Sequence, residues 1–178
     1  LAVMASRIAS GKLIQPRLIK RVNGVFKEIE SQNNLGISTF ALNLVREGMY
    51  DVSNGNKGTA RKSKIEIKEM SLAAKTGTAQ VRNITKKERE TGVIPNEKLP
   101  WKKRDHALFV GYAPYVKPKY AISVVVEHGG GGSRVAAPIA RDIMLRAIYG
   151  RVPKLEAYPL DQREEAKDRL ESLNLNPV

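Results

Sequence analysis

The sequence contains no cysteine, and this absence removes several kinds of chemistry. A chain without thiols forms no disulfide, no cysteine-ligated zinc site and no thiol nucleophile. It also has no apolar run near the roughly 20 residues that a membrane-spanning helix requires. Aromatic residues make up only 6% of the chain and are not interleaved with the basic residues, which argues against stacking on single-stranded nucleic acid.

Positive charge is the property that the composition has in excess. The chain carries 31 Lys and Arg against 18 Asp and Glu, a net charge of +13 at pH 7. A surface of this kind attracts polyanions such as nucleic acid, anionic lipid headgroups or acidic glycans. The same charge is also explained by solubility alone, so the composition leaves both interpretations open.

The length is sufficient for one domain with its own core, because the chain has 178 residues of which 42% are hydrophobic. The sequence does not begin with methionine, and no secretory signal precedes the first predicted helix. We therefore expect a piece of a longer protein, whose own N-terminus carries any targeting segment.

Hydrophobic periodicity and turn residues predict an α+β fold in which an antiparallel sheet packs against helices. Residues 120–127 are almost continuously apolar and predict a strand buried on both faces, at the centre of the sheet. The other predicted extended segments are residues 12–22, interrupted by Pro16, and strands over 25–29, 75–81 and 106–113.

The helix signals are separate from the strand signals. Ser38 and Thr39 predict the start of a helix over residues 40–48 that buries Phe40, Leu44 and Val45. Further helices are predicted over 1–9, from near Pro138 to Gly150, and over 161–173 after a linker at 151–159.

A long connection over residues 82–105 joins two predicted strands. It holds eight Lys and Arg residues before Asp105, together with two prolines and Trp101. A connection of this length inside a compact domain is either functional or mobile. His106 and His128, just beyond it, have no neighbouring set of metal ligands, so we predict that both are structural and that the chain binds no metal.

Residues 75–81 have the sequence KTGTAQV, in which a cation, two hydroxyls and a glycine follow one another. In a strand, Lys75 and Gly77 point to one face, and Thr76 and Thr78 point to the other. Gly77 removes a side chain, so that another molecule can approach the backbone there. If this is an edge strand, it also offers free N–H and C=O groups to an extended peptide.

Five segments, taken in order, resemble the second half of a class B penicillin-binding protein transpeptidase domain. Gly48–Tyr50 resembles the branch known as penicillin-binding protein 2, which builds cell wall during rod elongation. The other four segments are Gly58–Ala60, Ala73–Val81, Asp105–Pro114 and Glu127–Gly131. Each motif is short, but the ordered set is specific, and the resemblance covers residues 1–150, with residues 151–178 as a tail that ends in a short charged helix.

The resemblance implies a penicillin-binding protein or β-lactamase-like fold and a role for each residue of the Lys-Thr-Gly element. The family cross-links peptidoglycan stem peptides through a serine acyl-enzyme, and β-lactams acylate the same serine. Lys75 is then a catalytic cation that favours the anionic substrate, and the backbone N–H of Thr78 is half of the oxyanion hole. Thr76, Gly77 and Thr78 are expected to bind the substrate or the β-lactam, with the two threonines on its carboxylate, and no cofactor is expected.

One part of the family pattern is missing from the chain. The motif S-x-x-K does not occur, since Ser71 lies four residues before Lys75 rather than three. Ser31-Gln32-Asn33 spells S-x-N, but it follows the helix that in the family comes after that motif, so we interpret it as coincidence. The resemblance therefore implies that the nucleophile, two strands of the sheet and a membrane anchor lie upstream of Leu1, and that this chain alone is inactive.

The partners expected from the resemblance are stem peptides, β-lactams and other membrane proteins of the elongation machinery, at the periplasmic face of the bacterial inner membrane. Nucleic acid is not expected. The basic connection is a candidate to meet the pyrophosphate of a lipid-linked precursor or the anionic wall. Two alternatives stay open: a D,D-carboxypeptidase or penicillin-binding sensor of the same fold, and a basic module that binds nucleic acid or lipid surfaces.

Overall fold

The structure is a computed structural model that describes residues 1–28 and 32–174. Within these residues, no helix is both long enough and apolar enough to cross a membrane. The principal elements, in chain order, are α1 (Ala2–Ser10), β1 (Arg21–Val22), β2 (Val25–Phe26), α2 (Thr39–Asn54), β3 (Ala73–Ala79), α3 (Lys86–Thr91), β4 (His106–Ala113), β5 (Tyr120–Val126), α4 (Ala136–Tyr149) and α5 (Arg163–Asn174).

The main sheet has the order β3–β4–β5, and both pairs are antiparallel, which confirms the predicted α+β class. The prediction that residues 120–127 form the central strand is wrong within the described residues. The buried centre is β4, whereas β5 lies at an edge with Val125 54% exposed. Antiparallel pairing follows from the short turn between β4 and β5. No other strand of the described residues pairs along the outer edge of β5.

Helices cover both faces of this sheet. Helix α4 packs on the face that carries Ala74 and Phe109, where the larger core cluster lies. Helices α1 and α2 cover the other face, where Met49, Ala73 and Tyr112 form a second cluster. The first two residues of β3, Ala73 and Ala74, are buried between these two helix layers, whereas the residues from Lys75 onward are exposed or half-buried.

Helix α2 begins where predicted, since the hydroxyl of Ser38 accepts the backbone N–H of Ala41 at 3.2 Å. The helix continues to Asn54, however, and its buried face was predicted wrongly. Phe40 is 80% exposed, because α2 packs on the sheet through its last turns around Met49. The apolar residues of its first turns, Leu44 and Val45 among them, extend past the contact with β3.

Residues 12–28 contain much less strand than predicted. Two residues on each side of the Asn23-Gly24 turn pair as β1 and β2, in a small sheet separate from the main one. Pro16 interrupts the preceding segment and removes a backbone donor there. Lys27 and Glu28, predicted as part of the strand over 25–29, lie outside β2. Residue 29 and the serine of the S-x-N sequence, Ser31, are outside the described residues.

The segment predicted as a linker, residues 151–159, is packed rather than extended. Tyr158 is only 1% exposed, and its ring centre lies 4.8 Å from the guanidinium of Arg141, which is equally buried. Arg141 also donates to the side chain of Gln162 at 2.6 Å, and Gln162 donates to the backbone oxygen of Lys62 at 2.6 Å. The segment before α5 therefore fastens α4 to the loop that follows α2.

Candidate active site

The outer edge of β3 has no partner strand within residues 1–28 and 32–174. Backbone groups of successive residues in an antiparallel strand point to alternate edges. The oxygen of Ser71 accepts the N–H of Tyr115 at 2.8 Å, on the β4 side, and the oxygen of Leu72 accepts the side-chain amide of Asn54 at 2.9 Å, on the other side. By this alternation, the N–H and C=O of Thr78 point to the open edge.

Lys75 lies at the same edge and is exposed. Its ammonium group donates to the backbone oxygen of Thr76 at 2.6 Å and makes no ion pair with any carboxylate in the described part of the chain. An uncompensated cation beside open backbone donors is a suitable place for an anionic ligand.

The hydroxyls of Thr76 and Thr59 lie 2.8 Å apart and form a hydrogen bond. Thr59 is in the loop after α2, whose backbone returns tightly onto that helix: Ala60 N–H donates to Val52 O at 2.9 Å. A side chain at Gly58 would collide with the carbonyl oxygens of that helix, so glycine is required there. The sequence motif Gly58–Ala60 marked this loop, but nothing in the sequence paired Thr59 with Thr76.

Gly77 and Thr78 complete the strand. Gly77 pairs with Leu108 of β4, and a Cβ added at Gly77 would lie 3.3 Å from the Leu108 Cβ, so this face of the glycine is closely approached by β4. Thr78, the next residue, is exposed on the open edge. Predicted site residues Lys75, Thr76 and Thr78 therefore share one accessible rim of the sheet.

The connection over residues 82–105 has hydrogen-bonded structure of its own. The guanidinium of Arg82 donates two hydrogen bonds to the Glu88 carboxylate, of 2.8 and 2.5 Å, and only 10% of the Glu88 side chain is exposed. Glu88 also closes a capping box with Thr85 at the start of α3. The Arg82 hydrogen bond, followed by the Thr85 backbone N–H, lowers the pKa of Glu88 far below its ordinary value.

The far end of the connection is joined to the sheet by its two histidines. The backbone N–H of His128 donates to His106 Nδ1 at 2.8 Å, the ring Nδ1 of His128 forms a hydrogen bond of 2.9 Å with the Arg104 oxygen, and Trp101 packs edge-on against the His128 ring. Both histidines thus have structural contacts. Across residues 1–28 and 32–174, no three His, Cys, Asp or Glu side chains come together as a metal site would need.

The glycines after His128 were predicted to allow positive φ, and the structure uses them in two ways. Gly130 has φ of +85°, as predicted, and His128 itself has φ of +55°. Gly132 does not have a positive φ, but a Cβ atom at this position would collide with the carbonyl oxygens of Gly77 and Leu108. This glycine lets the segment that leads into α4 lie directly against the backbone of the candidate site.

A cavity of about 380 Å³ opens beside Thr78, between the end of β3 and the connection. Its lining includes apolar residues of the connection, Ile94 and Leu99 among them. The polar residues Gln80 and Asp105 also line it. The connection therefore borders the candidate site.

Comparison with known proteins identifies the family to which this chain belongs. Residues 1–145 match the family described as the penicillin binding protein transpeptidase domain. The peptidoglycan D,D-transpeptidase MrdA of Haemophilus influenzae is 34% identical over 174 residues, which are 94% of this chain and 26% of that protein. The chain thus spans about a quarter of the length of this curated relative.

Solved structures give the same result for the fold. Pseudomonas aeruginosa PBP2 in complex with WCK 5153 matches with a TM-score of 0.64 and 30% identity, over 92% of this chain and 32% of that one. PBP2 of Helicobacter pylori, in a complex with MreC, matches with a TM-score of 0.61 and 32% identity, over 83% of this chain and 24% of that one. These relatives confirm the resemblance to the penicillin-binding protein 2 branch, and the chain belongs to the penicillin-binding protein transpeptidase family.

Proposed function

We propose that this chain is the C-terminal part of the transpeptidase domain of a serine-type peptidoglycan D,D-transpeptidase of cell elongation. Residues 1–150 are the domain part in this proposal, and residues 151–178 are its tail. The observation that carries the proposal is the open rim of β3, where Lys75, Thr76 and Thr78 lie next to one another. The complete protein is called the parent protein below.

The reaction needs a serine that this chain does not supply, since the sequence has no S-x-x-K. In the proposed mechanism, the serine oxygen of the parent protein attacks the carbonyl carbon between the two terminal D-Ala residues. The C–N bond breaks, and D-Ala leaves as the free amine after it takes up a proton. An amine of a neighbouring stem peptide then attacks the acyl-enzyme, which forms the cross-link and releases the serine.

The rim residues have three roles in this scheme. The ammonium of Lys75 favours the substrate carboxylate, which the hydroxyls of Thr76 and Thr78 bind, and a cation about 4 Å from a carboxylate contributes up to ~4 kcal/mol at an effective dielectric constant near 20. Gly77 keeps the strand close to β4 between the two threonines. The N–H of Thr78 donates to the oxyanion as charge develops on the reacting carbonyl.

The apolar edge strand β5 fits the same proposal. The outer edge of β5 has no partner strand within the described residues, although the strand is almost entirely apolar. Exposed apolar strand edges are usually covered in native proteins, because they otherwise pair with other chains. We therefore expect the two upstream strands of the parent protein to pair along β5.

Partners and location follow from the relatives and remain part of the proposal. The Helicobacter pylori relative was solved in a complex with MreC. We propose that the parent protein likewise assembles with membrane proteins of the elongation machinery, at the periplasmic face of the inner membrane. The basic connection would then face the anionic wall or the pyrophosphate of a lipid-linked precursor.

Two measurements on the parent protein test the proposal. Fluorescent penicillin should label it covalently, and labelling should be lost when an unlabelled β-lactam is added first. Product analysis with a peptide that ends in D-Ala–D-Ala should give cross-linked product when an acceptor amine is present. Release of D-Ala without any cross-link would instead identify a D,D-carboxypeptidase, and absence of labelling would exclude the family reaction.

A further inference from the structure

The ribbon formed by β1 and β2 stands apart from the main sheet and is exposed along its whole length. Every residue from 15 to 28 is exposed to solvent, including both strands and the turn between them. Among the described residues, the two strands pair only with each other. A two-stranded hairpin alone is marginally stable in water, so a contact that covers this ribbon would stabilise it.

Large apolar side chains project from both faces of the ribbon. Leu18 is fully exposed, and Val25 and Phe26 are 71% and 54% exposed. The register pairs Val22 with Val25, and it pairs Arg21 with Phe26. Cross-strand partners share a face, and successive pairs lie on opposite faces. Water therefore surrounds apolar side chains on each side of the ribbon.

Positive charge accompanies these apolar residues, and negative charge does not. Residues 1–27 contain no Asp or Glu, although the whole chain has 18 acidic residues, and the first carboxylate is that of Glu28. We call residues 17–27 the basic ribbon, because four cations lie within it: Arg17, Lys20, Arg21 and Lys27. None of the four makes an ion pair within the described residues.

Local contacts bring the cations and the aromatic ring together. The Arg21 guanidinium lies 3.8 Å from the centre of the Phe26 ring. Arg17 donates to the backbone oxygen of Lys27 at 3.1 Å, and the N–H of Lys27 donates to the oxygen of Lys20 at 3.1 Å. Aromatic rings and long basic side chains occur together at the headgroup level of bilayers, where each has an apolar part and a polar end.

This combination selects among the polyanions that a basic surface attracts. Nucleic acid or a hydrophilic wall polymer would match the cations, but it would leave the apolar side chains in water. A flat acidic protein surface would cover only one face of the ribbon. A bilayer with anionic lipids meets both requirements, because acyl chains surround both faces and headgroup phosphates meet the cations.

We propose that the basic ribbon is a contact site for the surface of a bilayer that contains anionic lipids. Val22, Val25 and Phe26, beside the Asn23-Gly24 turn, enter the boundary between headgroups and acyl chains, and the cations bind lipid phosphates. The ribbon lies in this boundary and does not span the bilayer. This inference goes beyond the proposed function, because it does not depend on the serine, the rim of β3 or the cross-linking reaction.

Hydrogen–deuterium exchange of the parent protein measures this contact. The protein is compared in detergent, in nanodiscs of phosphatidylcholine, and in nanodiscs in which about one lipid in three is phosphatidylglycerol. Amides of residues 17–27 should exchange about tenfold more slowly in the anionic nanodiscs than in the other two samples, since each cation near such a surface strengthens binding roughly fivefold. Added salt should reverse the slowing, because it screens the cations from the lipid phosphates.

Two pairs of substitutions separate charge from insertion. Val25→Ser with Phe26→Ser removes apolar side chains and should return the exchange to its rate in phosphatidylcholine. Lys20→Gln with Lys27→Gln should leave less than about twofold slowing, since the loss of two cations weakens binding roughly 25-fold. The matched control removes the same charge from the exposed turn between β4 and β5 and should keep the full slowing: Lys117→Gln with Lys119→Gln.

The wild-type comparison decides the inference even if a variant does not fold. Equal exchange in the two kinds of nanodisc would overturn it. Slow exchange in detergent as well would show that another part of the parent protein covers the ribbon, which would also overturn it. Full slowing that persists in Val25→Ser with Phe26→Ser would contradict insertion and leave only electrostatic attraction. The test of the proposed function by penicillin labelling is independent of all these outcomes.

Discussion

The hydroxyl of Thr76 and the hydroxyl of Thr59 lie 2.8 Å apart, although 17 residues separate them in the sequence. This bond joins the reactive strand to the loop that follows α2. When Thr59 is the donor of this bond, the Thr76 hydroxyl keeps its own proton for a carboxylate and one further lone pair. Thr59 therefore fixes the rotamer in which Thr76 would meet a carboxylate.

A double-mutant cycle measures this relationship. Thr59→Val and Thr76→Val each remove the hydrogen bond and keep the β-branched shape. We expect a coupling of about 0.5–1.5 kcal/mol between them in the free energy of β-lactam binding, obtained from acylation kinetics of the parent protein. Strictly additive effects of the two changes would show that the contact does not influence the site.

Thr78→Pro removes one backbone N–H from the rim. Because that N–H points to the open edge, the sheet ladder should survive, as proline is tolerated on strand edges. The rate of acylation by a β-lactam should fall about 10²–10³-fold, the usual effect of losing one oxyanion donor.

Thr78→Ser is the matched control for this variant, since it retains both the N–H and a hydroxyl. Its acylation rate should stay near that of the wild type. Unchanged acylation in a folded Thr78→Pro protein would remove Thr78 from the oxyanion hole.

Glu88 makes the connection sensitive to acid. Its pKa in the folded protein is lowered from the ordinary 4.5, chiefly by Arg82, so its contribution to stability is fully present above that value. The contribution is lost progressively as the pH falls below about 4.5 toward the lower folded pKa. We expect the difference in unfolding free energy between the wild type and Glu88→Gln to shrink between pH 5 and pH 3 (about the range in which an unfolded glutamate titrates).

Urea unfolding of the parent protein at several pH values measures this difference. Glu90→Gln, an exposed change on the same helix, is the control and should follow the wild type throughout. A difference between wild type and Glu88→Gln that does not depend on pH would contradict the assignment of the pair.

Gly132→Ala tests the contact between the segment that leads into α4 and the backbone of β3 and β4. The added methyl group would overlap carbonyl oxygens of Gly77 and Leu108, and overpacking against backbone typically costs about 1–3 kcal/mol. Gly131→Ala adds the same group where no atom lies within 4 Å, so it should be close to neutral. Equal melting temperatures for the two variants would show that this contact is not close.

Tyr112→Phe should stabilise the protein or leave its stability unchanged. The Tyr112 hydroxyl is buried and has no hydrogen-bond partner among the described residues, and burial raises its pKa to about 12. Removal of an unsatisfied buried hydroxyl typically gains about 1 kcal/mol. Differential scanning calorimetry would check this, and a loss of several degrees in Tm would reveal a partner for the hydroxyl.

The sequence predicted the elements whose signals are local. The strand over 106–113 has the predicted bounds, and the helix after the glycines ends at Gly150, which has φ of +64°. The strand at Lys75 is displaced by two residues, because the small residues Ala73 and Ala74 carry no alternation that would mark its start. Local signals were sufficient for the first two elements, and for the existence but not the bounds of the third.

Relations between distant elements could not be predicted in the same way. The apolar run in β5 and the apolar side chains of Phe40 and Leu44 indicated burial, but periodicity does not say which surface provides it. The hydrogen bond between Thr59 and Thr76 depends on how the loop after α2 returns to the sheet. The ion pair between Arg82 and Glu88 depends in the same way on the path of the connection over residues 82–105. Only the ordered motifs, compared with a known family, located the site itself.

Two hydrogen bonds join Arg141 to Gln162 and Gln162 to Lys62, and the second connects residues that are 100 positions apart in the sequence. These bonds lie partly beyond residue 145, where the family match ends. Truncation at residue 145 would remove the ring of Tyr158 and the side-chain amide of Gln162, which cover the buried guanidinium of Arg141. It would thereby expose Arg141 and the face of α4 that carries it. The C-terminal boundary of the folded unit is therefore defined by the contacts of Gln162, and not by residue 145, where the family match ends.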